Sequence, residues 1–314
     1  MIFYETTIKN PSAMISMTGL TKSEFDSLLP VFEKAEKDYV MEVHDKNKAR
    51  KRMPGGGRKP KLQSVGERLF FILFYLKTYP LQQVIAVCFG LSLSQSNYWI
   101  HRLSDILKRA LGKGSYLSER DPATLEGALK KCLELSFIID GTERKIQRPK
   151  QQENQKRYYS GKKKGHTVKN NIIANVVSRK AVYLSGTYEG KKHDKKIADE
   201  ENPIFPKGSI LFKDTGFQGY EPENTTCYQP AKKPRGKNLS LEDRFFNKMI
   251  SGVRIIVEHV ISGIKRMRIV KDVFRNTKNG FSDLVMEIAC GLHNLRETFR
   301  APDRTPKARQ PVWN

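Results

Sequence analysis

Three acidic side chains stand where they could gather around a phosphate. Asp140 closes the alternating run Leu133, Leu135, Phe137, Ile139, and Asp214 closes the apolar run from Ser209 to Lys213. Each is expected at the C-terminal end of a strand, the edge where sites form in sheets with parallel neighbours. Glu258 falls in a helical segment, on the stripe that i, i+4, i+7, i+11 spacing gives to Arg254, Glu258, Ile261 and Lys265. Two strand-borne aspartates and a helical glutamate would supply hard oxygen ligands in the number two magnesium ions need, with room left for phosphate oxygens. The alternative for Glu258 is a pair with Arg254 on an exposed helix face. Asp194, after His193, is a reserve acid should Asp214 prove structural, or else the N-cap of the segment that follows. Glu143 is close to Asp140 in sequence and is expected to pair with Arg144 or Lys145.

Such acids must be held by a fold, and the composition permits one. The chain has 314 residues, enough for about two domains of ordinary size. Its 57 Lys and Arg against 33 Asp and Glu give a net charge of +24, while 38% of residues are apolar, which excludes a disordered polycation. The longest apolar run, Leu69 to Leu76, is far short of the ~20 residues of a bilayer span, and Glu5 stands where a signal peptide would be basic. No membrane is expected. Cys88, Cys132, Cys227 and Cys290 form no C-x-x-C pair, so they read as thiols in a reducing cytosol rather than a zinc or disulfide framework. The excess positive charge makes nucleic acid the first partner to consider.

Along the chain, Thr21-x-x-Glu24 opens a first amphipathic helix in which Pro30 is expected to make a kink or a break. Lys46 to Lys61 is a basic Gly/Pro linker, either an arm on DNA phosphates or a solvated tether. Ser64-x-x-Glu67 caps the next helix. Leu81 to Phe89 is a short one stopped by Gly90, and Ser92-x-x-Gln95 caps a longer one. This is helix-turn-helix spacing, in which the second helix lays its polar positions, Ser94, Gln95, Asn97, Tyr98, His101 and Arg102, in the major groove. Beyond the Asp140 strand come a hairpin (His166 to Val177 and Ala181 to Gly186), the Asp214 strand, a short strand from Thr226 to Gln229, and helices from Leu241 to Met267 and Ser282 to Phe299. The expected divisions are an N-terminal helical segment (1–45), the linker (46–62), a helix-turn-helix domain (63–130), an α/β domain (131–299) and a basic tail (300–314).

Five motifs together carry a resemblance. They are Asp140-Gly141-Thr142, Tyr158-Tyr159-Ser160-Gly161-Lys162-Lys163-Lys164-Gly165-His166, His193-Asp194, Lys213-Asp214-Thr215-Gly216-Phe217 and Arg254-x3-Glu258-x6-Lys265. From Gln63 to Phe299 the chain resembles DDE transposases of the insertion-sequence-five family, in the branch shared with Harbinger-type transposases. The resemblance implies an α/β fold, an RNase H-like mixed sheet flanked by helices, preceded by an all-α helix-turn-helix domain. It implies a catalytic, metal-binding triad of Asp140, Asp214 and Glu258 holding two Mg²⁺ ions, with Mn²⁺ as an alternative. Arg254, Lys265, Lys164 and His166 would meet phosphates at the DNA end. Its partners would be double-stranded DNA, as terminal inverted repeats and target, and further copies of the chain on that DNA, in the cytoplasm at the nucleoid. The family has a tyrosine three residues before the arginine, where this chain has Ser251. The expected activity is DNA cleavage and strand transfer by in-line phosphoryl transfer. The alternatives are a DNA-binding regulator that keeps the fold without cutting, and an RNA-binding protein, which would show more aromatic platforms than Tyr158-Tyr159.

Overall fold

A computed structural model describes residues 4–46, 59–232 and 238–300. Most of the basic linker and the tail beyond Arg300 lie outside the described residues. The chain divides into two compact units. The first runs to Leu117 and also takes in Lys265–Asp272 and Asn276–Leu292; the second comprises Ser118–Ile264, Val273–Arg275 and the chain from His293.

The first unit is helical: α1 (Tyr4–Thr7), α2 (Pro11–Thr18), α3 (Lys22–Lys46), α4 (Val65–Thr78), α5 (Gln82–Phe89) and α6 (Leu93–Lys113). All eight residues from Leu69 to Leu76 are buried, so α4 is covered on every side, as its uninterrupted apolar run requires. Ser64 and Glu67 form the expected capping box on α4. The break expected at Pro30 is absent, and α3 is continuous from Lys22 to Lys46. Pro30 and Asp26 both lie on the exposed side, so the carbonyl left without a helical partner faces water. The returning chain completes this unit. Lys77 Nζ donates to the Arg266 carbonyl at 3.2 Å, and Lys108 pairs with Glu287 at 2.9 Å. Gly291 packs so closely on Leu111 and Leu117 that a Cβ there would lie 3.0 Å from both side chains.

The second unit is a mixed α/β fold, a mixed sheet with helices around it. Its elements are α7 (Leu125–Leu129), β1 (Ser136–Lys145), α8 (Gln152–Tyr158), β2 (Tyr159–Ser160), β3 (Gly165–Asn175), β4 (Ala181–Leu184), β5 (Tyr188–Glu189), α9 (Asp194–Glu201), β6 (Ser209–Lys213), β7 (Thr225–Tyr228) and α10 (Leu241–Ile264), with α11 (Phe281–Arg300) extending into it. The strand order is β2-β3-β1-β6-β7, with β4 and β5 also paired to β3. β3 is antiparallel to β1, whereas β6 and β7 continue parallel to it.

Alternation along these strands sends neighbouring residues to opposite faces. On one face Phe212 stacks on Tyr228 at 5.6 Å, and Tyr228 meets Phe246 of α10 at 6.1 Å, while Ile250, Val257 and Val260 of that helix are buried. On the reverse face Phe137, Ile139, Ile173, Leu211, Phe217 and Tyr220 form the apolar core with Leu125, Leu129, Ala198 and Phe205. The strand expected to stop at Asp140 continues to Lys145. The polar residues from Gly141 onward are paired with Asn171 through Thr167 of β3, a long-range pairing that holds a sequence otherwise resembling a loop.

Candidate active site

Ile139 of β1 is in register with Lys213 of β6, so the next residues, Asp140 and Asp214, lie side by side on the face covered by α10. Asp140 is within β1 rather than at its end, at the point where β6 stops and leaves its flank open. Its Oδ1 accepts from the Gly141 amide at 2.8 Å. Burial, reinforced by the charge of Asp214, pushes the Asp140 carboxyl up to about 6. Asp214 begins a short 3₁₀ turn (Thr215–Phe217). Its Oδ1 accepts from the Thr215 amide at 2.7 Å and hydroxyl at 3.3 Å, and lies 3.2 Å from Arg254 Nη1.

The partner of Arg254 is therefore Asp214, across from the helix, and not Glu258 along it. Glu258 is exposed one turn further along α10. Among the described residues, no three or more His, Cys, Asp and Glu side chains are gathered so as to hold a metal ion. Two of the three expected acids come together and the third does not join them. The pair nevertheless has the chemistry of a hard-cation site. It consists of oxygen donors, half-buried for Asp140, held together against their repulsion with one guanidinium beside them. Lys265 directly follows the last turn of α10.

Asp194 is the first residue of α9, and His193, rather than Asp194, occupies the cap position without a capping side-chain bond. The Asp194 carboxylate packs against Gly141, where a Cβ would stand 2.6 Å from its carboxyl carbon. Lys169 Nζ lies 3.3 Å from both Asp194 and Glu143. Glu143 thus has a cross-strand partner in Lys169. This arrangement lies on the face opposite Asp140. Sequence reasoning passed over two residues here, the buried lysines Lys169 and Lys213. Lys213 had a signal: a charge at an inward position of an apolar strand, immediately before Asp214.

Lys164 is exposed with a left-handed φ of 45°, and His166 is half-buried in β3 with its ring 5.8 Å from that of Tyr159. In the helical unit, Gly90 ends α5 in the left-handed conformation and Ser92 caps α6. Of the six expected reading positions, Ser94, Gln95, Asn97 and Tyr98 are exposed; the Tyr98 ring packs on Trp99 at 5.5 Å and its hydroxyl accepts from Arg102 at 2.5 Å. Gln95 accepts from the Ser92 amide at 3.0 Å, and Asn97 donates to Gln82 at 3.1 Å. His101 packs on Phe281 at 4.7 Å, its pKa lowered by burial, and Arg102 lies over the rings of Tyr39, Tyr98 and Trp99.

Residues 139–294 match the family described as DDE superfamily endonuclease, and residues 60–113 match the helix-turn-helix of DDE superfamily endonuclease. The chain thus carries a DDE superfamily endonuclease domain preceded by the helix-turn-helix of that superfamily, which supports a DDE transposase of an insertion sequence. It is 27% identical over 267 residues to the probable transposase for insertion sequence element IS702 of Microchaete diplosiphon, which covers 84% of this chain and 91% of that protein. No solved structure gives a significant match. Among the described residues no helix is long and apolar enough to cross a membrane.

Proposed function

We propose that the chain is a transposase that binds the ends of its own element and cuts and joins DNA at Asp140, Asp214 and Glu258. The observation that carries this reading is the Asp140–Asp214 pair. Two carboxylates are built side by side, one pushed up to about 6, in a domain that matches an endonuclease family. Asp140 and Asp214 would hold divalent metal, Mg²⁺ or Mn²⁺, with Glu258 contributing from α10 and two ions serving one site. When bound, such ions supply positive charge to the attacking and leaving oxygens of a phosphodiester. Arg254 and Lys265 would hold phosphates, the first as a planar fork and the second as a point charge, and Lys164 and His166 would meet the backbone of the DNA end. The double-stranded partners would be terminal inverted repeats and target DNA, gripped by several copies of the chain at the nucleoid in the cytoplasm. Sequence preference would come from α6, through Ser94 and Tyr98 first, with Gln95, Asn97, His101 and Arg102 shaping the helix that presents them.

The exposure of Glu258 favours a second reading, a DNA-binding regulator without nuclease activity. A supercoiled plasmid bearing the element's ends, incubated with protein and Mg²⁺, separates the two. The transposase reading expects cleavage at the ends by the wild type and none by Glu258→Gln. Intact plasmid with the wild type, under conditions where the ends are bound, would favour the regulator.

A further inference from the structure

One residue before Asp214, Lys213 is only 1% exposed and faces the apolar core on the reverse of the sheet, in register with Ile139. Its ammonium donates to the Tyr220 carbonyl and pairs with the Glu221 carboxylate. Both partners lie in the segment that leads away from Asp214. Burying an ammonium is costly, and the Glu221 side chain is 65% exposed, so this pair returns little stability. Ile139, Phe217 and Tyr220 around it would suit an apolar side chain as well. What the lysine does is close the loop from 213 to 221. That loop holds the 3₁₀ turn whose first amide and hydroxyl are bonded to the Asp214 carboxylate.

We infer that Lys213 is a positioning residue for Asp214. From behind the sheet it pins the 214–221 turn and thereby aims the Asp214 carboxylate at Asp140. Lys213 itself touches neither DNA nor cation. The inference rests on the proposed reading of Asp140 and Asp214 as the cation-binding pair.

The test is Mn²⁺ binding to the full chain without DNA, followed by electron paramagnetic resonance, with thermal melting of each variant in parallel. Asp214→Asn and Asp140→Asn first establish the site. Lys213→Met should melt within a few degrees of the wild type yet bind Mn²⁺ about tenfold more weakly, the scale usual for residues that orient metal ligands. The double variant Lys213→Met/Asp214→Asn should bind no worse than Asp214→Asn alone, because a residue acting through Asp214 has nothing left to act on. If Lys213→Met does not fold, the exposed Glu221→Gln should show a smaller loss with the same non-additivity. Wild-type affinity in Lys213→Met, or an equal loss with and without Asp214, overturns the inference while leaving the acid pair standing. Wild-type affinity in Asp140→Asn and Asp214→Asn instead removes the acid pair itself, and the role of Lys213 with it.

Discussion

On the face of the sheet covered by α10, Asp140 and Asp214 share one guanidinium between them. On the reverse face, a strand's thickness away, Lys169 meets Glu143 and Asp194 and Lys213 meets Glu221. The front thus carries two adjacent acids beside Arg254, and the back carries buried lysines of β3 and β6 with acid partners. A matched ion pair is a structural answer to burial, because each charge satisfies the other. Acids pushed together without matching cations gain nothing for the fold, so their placement points to a ligand that brings the missing charge.

The largest expected effect tests the front face. Asp140→Asn, Asp214→Asn and Glu258→Gln should each reduce end cleavage by about 10³-fold or more, since several kcal/mol of charge stabilisation is lost. Gel-shift affinity for the ends should stay within about twofold, as binding is carried by other residues. Arg254→Ala should lose less activity than Glu258→Gln; equal losses would return Glu258 to a supporting role.

The next effect is on stability without metal. Burial raises Asp140 to about 6, so it favours the fold while protonated. That contribution is complete below the ordinary aspartate range and is lost as pH rises through about 6. His293, bonded to the Arg179 carbonyl, is buried and lowered to about 4, so its contribution is present above pH ~6.5 and is lost as pH falls through about 4. Each is worth up to about 3 kcal/mol, with opposite slopes over the same window. Urea unfolding in EDTA from pH 4 to 7 should be nearly flat for the wild type, and Asp140→Asn should expose the acid sensitivity of His293. An unchanged profile would mean that Asp140 is an ordinary carboxylate.

Behind the sheet, Gly141→Ala would drive a methyl group into the Asp194 carboxylate, and overpacking of this kind costs about 1–3 kcal/mol. Asp194→Ala should recover much of that loss in chemical unfolding, and failure to do so would place the strain elsewhere. The smallest effect extends the contrast to α6. Gln95 already serves as a cap, so Gln95→Ala should cost about 0.5–1 kcal/mol of stability, whereas Ser94→Ala should leave stability alone and relax preference between end and random DNA. A purely stability-neutral Gln95→Ala that alters preference would reverse these roles.

Local chemistry was readable where it acts locally. The capping boxes at Ser64 and Ser92, the glycine stop at Gly90 and the two strands that bring Asp140 and Asp214 into adjacency follow from spacing within a few residues. Misreadings arose where a distant partner decides. β1 runs past Asp140 only because β3 pairs with it, and Arg254 reaches Asp214 in place of Glu258 one turn away. Pro30 is tolerated because the Asp26 carbonyl, which it leaves without a helical partner, faces solvent, and this depends on the side of α3 that happens to be covered.

The helical unit borrows residues from near the far end of the chain, with Lys265–Asp272 and Asn276–Leu292 belonging to it. During synthesis, at about 5–20 residues per second, its first six helices must therefore wait for nearly the whole chain before their packing is complete. A message cut short after Leu117 would leave Leu111 without Gly291 and Lys108 without Glu287. Such a product would lack part of the packing of its own helical unit, so early termination anywhere before residue 292 destabilises the first unit as well as cutting into the second.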